Sequence, residues 1–314
     1  MPLIATMESA APRRTPAQPG MVQLGLVGLL LGLAAIAWVA TGDRMAGMDA
    51  GPGTNLDTLG FYVTAWVVMM AAMMFPSIWP MVTMYSRIQE GKRARGRDVP
   101  LGATAAFVGG YLLTWTAWGL FAYAVYEIGS SAWPDALAWE RGGPYFAGGV
   151  VIAAALYQLT PLKNACLKRC RSPMMFLMNA WQPGRIGALR MGLAHGAWCV
   201  GCCWGLMAAL FALGVMSVGW MVFIAALIAA EKLLPWRALA SYGIAVLLLA
   251  MGLLVAFTPS SVPGLILPDS PEAARAREMH HGSMVDGTQH HDVHSKPSGS
   301  MHDEGMPAGH MPGR

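Results

Sequence analysis

The sequence predicts an all-α fold: a polytopic helical membrane bundle of about seven transmembrane helices, with its N-terminus in the cytoplasm and its C-terminus outside. Three observations carry this. Hydrophobic residues make up 55% of the 314 and charged residues only 12%, where a soluble domain carries about 25%. Mean hydropathy is +0.45. Seven apolar stretches are also long enough, or nearly so, to cross about 30 Å of hydrocarbon at 1.5 Å per residue. Five cysteines spread over such a chain do not make a disulfide-stapled secreted module.

In chain order the spans are expected near 21–40, 60–84, 103–126, 144–161, 190–216, 218–235 and 239–258, inside a helical domain of residues 21–258. The first follows a short cytoplasmic segment, residues 1–20, that contains Arg13 and Arg14. Its apolar run is too long for a signal h-region and no A-x-A site follows, so it reads as an uncleaved anchor. Gly28 and Gly32 form a small-xxx-small pair within it, a common pattern that permits close helix packing. Spans four and six, at about 18 residues, sit at the short end of the crossing range.

Loop charge sets the orientation. Arg87, Lys92, Arg93, Arg95 and Arg97 follow span two; Lys163, Lys168, Arg169, Arg171, Arg185 and Arg190 lie between spans four and five; Lys232 and Arg237 lie between six and seven. With Arg13 and Arg14, these place 15 of the 21 basic residues on one side. Arg44 and Arg141, with Asp43, Asp49, Asp57, Glu127, Asp135 and Glu140, occupy the opposite loops.

Beyond span seven, residues 259–314 change character. Pro259, Pro263, Pro268 and Pro271 interrupt the chain and few large apolar residues follow, so this tail is expected to be extracytoplasmic and disordered. It holds His280, His281, His290, His291, His294, His302 and His310, interleaved with Met279, Met284, Met301, Met306 and Met311. Imidazole suits copper, zinc and nickel, whereas thioether sulfur selects Cu(I). Methionine also survives as a ligand where thiols are oxidised. The mixture therefore points to copper first, with zinc or nickel as alternative ions at the tail; a merely biased tail is the competing reading.

Two spans carry donor atoms at helical spacing. Span two reads WVVMMAAMMFPSIWPMVTMYSR, with Met69, Met70, Met73, Met74, Met81 and Met84 on two neighbouring stripes. Pro76 and Pro80 each remove a helical N–H, which predicts a kink or unwinding just below the methionines. Methionine is also an ordinary apolar gap-filler, so the cluster has a plain packing reading. Span five reads MGLAHGAWCVGCCWGLM, in which Met191, His195, Cys199 and Cys202 fall within about 80° of helix circumference and Cys203 just beyond. Histidine is costly in a bilayer unless paired or ligated. Thiolate, imidazole and thioether together make a soft site; the competing reading is a small-residue packing patch. Both groups fall near the midplane, where transporter sites are usually built. Whether the two helices are neighbours is left open.

A third group lies in the basic loop LKNACLKRCRSP, where Cys166 and Cys170 form an i, i+4 pair beside cations that favour thiolate. Ser172 and Pro173 suit a helix start, opening a short surface helix with Met174, Met175 and Met178. Glu231, near the inner end of span six, is expected to pair with Lys232, balance a cation, carry a proton or snorkel outward.

The stretches MMAAMMFPS, LTPLKNACLKRCRSP, CVGCCWGLM and AAEKLLP, spread over roughly residues 60–258, resemble the bacterial predicted metal-binding integral membrane proteins. That resemblance implies metal binding in the bacterial inner membrane with suspected copper handling. It carries over to Met69, Met70, Met73 and Met74, to Cys166 and Cys170, to Cys199, Cys202 and Cys203, and to Glu231. The expected partners are a metal ion, the lipid bilayer and a periplasmic copper protein or chaperone, with no nucleic acid. No catalytic base is apparent. The alternative reading is a membrane thiol-disulfide oxidoreductase cycling Cys199 and Cys202, against which the outer loops offer no receiving cysteine. No nucleotide-binding loop points to an ATP-driven pump.

Overall fold

The computed structural model describes residues 20–45, 59–132, 142–215 and 217–265, together with 267, 270, 271 and 274. Among the described residues the chain is all-helical. The elements are α1 (Met21–Met45), α2 (Leu59–Arg93), α3 (Ala103–Ala132), α4 (Gly143–Gln158), α5 (Pro161–Cys170), α6 (Pro173–Ala180), α7 (Gly184–Gly214), α8 (Val218–Leu233) and α9 (Arg237–Phe257), followed by a 3₁₀ turn at Pro259–Ser261.

Each of the seven expected stretches is a helix, but they are not equally long. Five are long and apolar enough to cross a bilayer: α1, α2, α3, α7 and α9. Helices α4 and α8 have 16 residues each, about 24 Å of axis. Helix α4 passes the same test only together with α5, and the two meet at a 69° bend. The bend follows from local chemistry. Pro161 lacks an N–H and disfavours helical backbone at Thr160, whose hydroxyl instead accepts the Lys163 backbone N–H at 3.3 Å and caps α5.

Helix α2 runs through Pro76 and Pro80 as one continuous helix, so of the expected kink or unwinding the unwinding does not occur. Hydroxyls serve the carbonyls of this stretch: Ser77 Oγ donates to Met74 O at 2.8 Å and Thr83 Oγ1 to Trp79 O at 2.9 Å. The helix ends at Arg93, and beyond it Gly96, with a φ of +69°, lets the chain turn back while Arg97 N donates to Lys92 O.

Helix α7 is the centre of the bundle, packed against α3, α4, α5 and α8, while α1 lies along α2 and α9 along α4. The seam with α3 is close because it is built on glycine. A Cβ on Gly192 would run into the Phe107 carbonyl, and one on Gly110 into that of Leu189. Thr114 Oγ1 reaches across to Leu193 O at 3.1 Å. The Gly28–Gly32 pair, by contrast, faces open space. Helix α1 is instead buried at Leu30, Ala34, Ala37 and Thr41, one helical stripe.

Candidate metal centre

The site begins with the spacing along α7. Residues four apart stand one above another on a helix, so Met191, His195 and Cys199 share a face, with Cys202 beside it. All four are buried, at 1%, 3%, 1% and 1% exposure. Helix α5 brings Cys170 to the same place. The sulfurs of Cys170, Cys199 and Cys202 all lie within 4.8 Å of one another, and Cys202 and Cys170 Sγ are 3.7 Å apart. Two sulfurs on one ion, with thiolate–metal bonds near 2.3 Å, stand at most about 4.6 Å apart. The trio therefore fits a single soft cation with small side-chain adjustment.

What the sequence treated as two groups is thus one. Only one member of the pair Cys166 and Cys170 joins the trio: Cys166 is buried against α7, where a Cβ on Gly201 would meet its sulfur at 2.8 Å, and it stays outside the cluster. Cys203 is also outside it, its thiol donating to Cys199 O at 2.8 Å. An i+4 step carries that side chain back onto the preceding turn rather than toward α5.

Charge reaches the trio from a residue counted as a loop cation. Lys232 Nζ donates to Cys199 Sγ at 3.0 Å and to Ser77 Oγ at 3.2 Å. Tyr111 OH sits 3.1 Å from the same sulfur. Cys199 therefore faces an ammonium and a phenol. Glu231 does not pair with Lys232; its carboxylate holds Lys163, and both members of that ion pair are buried. Arg171 Nη1 adds a bond to Glu231 O at 2.8 Å. Helices α5 and α8 are thus tied together beside the sulfurs. Lys163 and Lys232 are therefore not free loop cations.

The bond from Lys232 to Ser77 also links α2 to the sulfurs. Ser77 is bonded in turn to Met74 O, so α2 approaches the α7 cysteines through one shared ammonium. Met69, Met70, Met73 and Met74 are buried at 1%, 0%, 3% and 0%, in the same core cluster as Met191, Cys199 and Cys202. His195 lies among the rings of Phe107, Tyr111 and Phe176, with centroids 6.0, 5.9 and 5.3 Å away, and its Nδ1 has no hydrogen-bond partner among the described residues. A buried imidazole nitrogen without a partner is costly unless something ligates it. The tail histidines, His280, His281, His290, His291, His294, His302 and His310, lie outside the described residues.

Sequence reasoning missed Lys232, Ser77 and Tyr111 as neighbours of the sulfurs. Lys232 had a signal, since a cation directly after Glu231 near a helix end has two ways to turn. Tyr111 had none.

A family model described as a copper chaperone, PpoB2, matches residues 63–255, more than half of the chain and the part that contains every sulfur of the trio. No curated protein and no solved structure matches it.

Proposed function

From a chain that belongs to the copper chaperone family PpoB2, we infer a multi-pass protein of the bacterial inner membrane that takes up Cu(I) as cargo on Cys170, Cys199 and Cys202. It either passes the ion across the bilayer or delivers it to a periplasmic copper protein. The observation that carries this is the convergence of three sulfurs from two helices within 4.8 Å. Soft thiolates select Cu(I), and Lys232 offsets the negative charge they bring. His195, Met191 and the α2 methionines supply further soft donors along the same buried region. The tail gathers or buffers ions outside, and ligand exchange among such donors needs no catalytic base.

Several features support the membrane assignment: the five helices long and apolar enough to cross, and the clustering of Arg87, Arg93, Arg95, Arg97, Lys168 and Arg169 toward one side. Copper titration under reducing conditions tests the site. Protein lacking residues 272–314 is compared with the same protein carrying Cys199→Ser and Cys202→Ser. The double substitution is expected to abolish the tight Cu(I) site of the tail-less core. An unchanged stoichiometry and affinity defeats the assignment.

A further inference from the structure

Helix α6 carries three methionines that the buried centre does not use. Met174, Met175 and Met178 are 52%, 64% and 75% exposed, while Phe176 and Leu177 between them are buried. At 100° per residue the three thioethers fall within an arc of about 100°, and Met174 and Met178 are neighbours one turn apart. The other face of the helix is turned inward: the Phe176 ring stands edge-on to His195 at 5.3 Å. Position along the chain matters as well. Cys170, the partly exposed member of the trio, ends α5, and only Arg171 and Ser172 separate it from α6. Arg171 pins that junction by donating to the carbonyls of Glu231 and Leu234 on α8 and the residue that follows it.

A short helix with this face has an ordinary use, since methionine can simply rest in lipid headgroups. Leucine would serve that use as well or better. Sulfur adds a soft, neutral donor that binds Cu(I) weakly enough to release it. We propose that Met174, Met175 and Met178 form a thioether acceptor site for Cu(I) on the outer face of α6, from which the ion passes to Cys170 and then to Cys199 and Cys202. This rests on reading the trio as the Cu(I) site. Copper stays monovalent throughout. Each thioether leaves unchanged as a thiolate replaces it, and any proton on the incoming thiol goes to water.

The test uses full-length protein with methyl-¹³C methionine and Ag(I) as a redox-inert stand-in for Cu(I). In the Cys199→Ser, Cys202→Ser protein, Ag(I) is expected to shift the methyl resonances of Met174, Met175 and Met178, assigned by single Met→Leu variants. In a second arm, Met174→Leu, Met175→Leu and Met178→Leu are combined, which keeps the apolar face and removes the sulfur. Transfer of Cu(I) from its bicinchoninate complex to the trio is expected to slow about tenfold in that variant, with the final occupancy of the trio unchanged. Unshifted methyl resonances, or loading of the triple variant at the parent rate, overturn the proposal. A failure of the cysteine site itself shows separately, as copper uptake that the two serines do not reduce.

Discussion

Two lysines with the same expected fate have different ones. Lys163 is 1% exposed and held by the Glu231 carboxylate; Lys232 turns its ammonium to Cys199 and Ser77. Taking a charge out of water is tolerable only when its partner is present, and removing one member of a buried pair costs about 3–5 kcal/mol. Glu231→Ala should therefore lower stability by about that much. The combination Lys163→Met with Glu231→Leu, which removes both charges and keeps volume, should recover most of it. Denaturant unfolding in detergent measures both; equal losses in the two proteins would show that the pair is not an energetic unit. Among the described residues Lys232 has no carboxylate of its own, and its ammonium faces sulfur instead. Cys203 and Cys166 show the converse: close in sequence to the trio, they lie outside it, Cys203 donating to the Cys199 carbonyl, as Cys202 also does, and Cys166 packed against Gly201.

At the scale of elements, the position of Cys199 depends on how closely α3 and α7 approach. At Gly192 the obstacle to a side chain is the backbone of Phe107, which cannot swing aside. Overpacking of this kind costs about 1–3 kcal/mol, so Gly192→Ala is expected to destabilise the bundle by that amount and to weaken copper binding by moving Tyr111 relative to Cys199. Gly28→Ala and Gly32→Ala, where the added atom meets nothing, should stay within about 0.5 kcal/mol of the parent. Thermal unfolding of the three proteins side by side checks the contrast. The bend between α4 and α5 belongs to the same scale. It is dictated by Thr160–Pro161, and it swings α5 so that Cys170 reaches α7 instead of continuing the line of α4.

For the molecule as a whole, parity of crossings is decisive. If the short helices α4 and α8 both cross, seven crossings put the chain ends on opposite sides of the membrane. If α4 with α5 forms one crossing and α8 does not cross, six put the ends on the same side. The charge distribution favours opposite ends, so a periplasm-active reporter fused after Arg314 is expected to be active and a cytoplasm-active one silent. The reverse pattern would refute the arrangement and relocate the His/Met-rich tail to the cytoplasm. A 16-residue helix crosses a thinned bilayer or one its polar ends reach by snorkelling, and Glu231 and Lys232 in the last turn of α8 do not serve that purpose, since both are turned inward.

Helix positions, the apolar character of the chain and the soft donors on α7 were legible in the sequence, because each is a property of consecutive residues. Composition reports burial against lipid or protein, and an i, i+4 spacing reports a shared face; Met191, His195 and Cys199 needed nothing further. Which donors meet was a different matter. Cys170 lies about thirty residues before Cys199 and Cys202, and only the Pro161 bend and the packing of α5 on α7 bring its sulfur to theirs while leaving Cys166 behind. The exchange of partners between Glu231 and the two lysines was equally hidden, since adjacent residues on a helix point about 100° apart and cannot both face the same neighbour. Periodicity along one chain determined the faces, and the crossing of separate helices decided which faces touch.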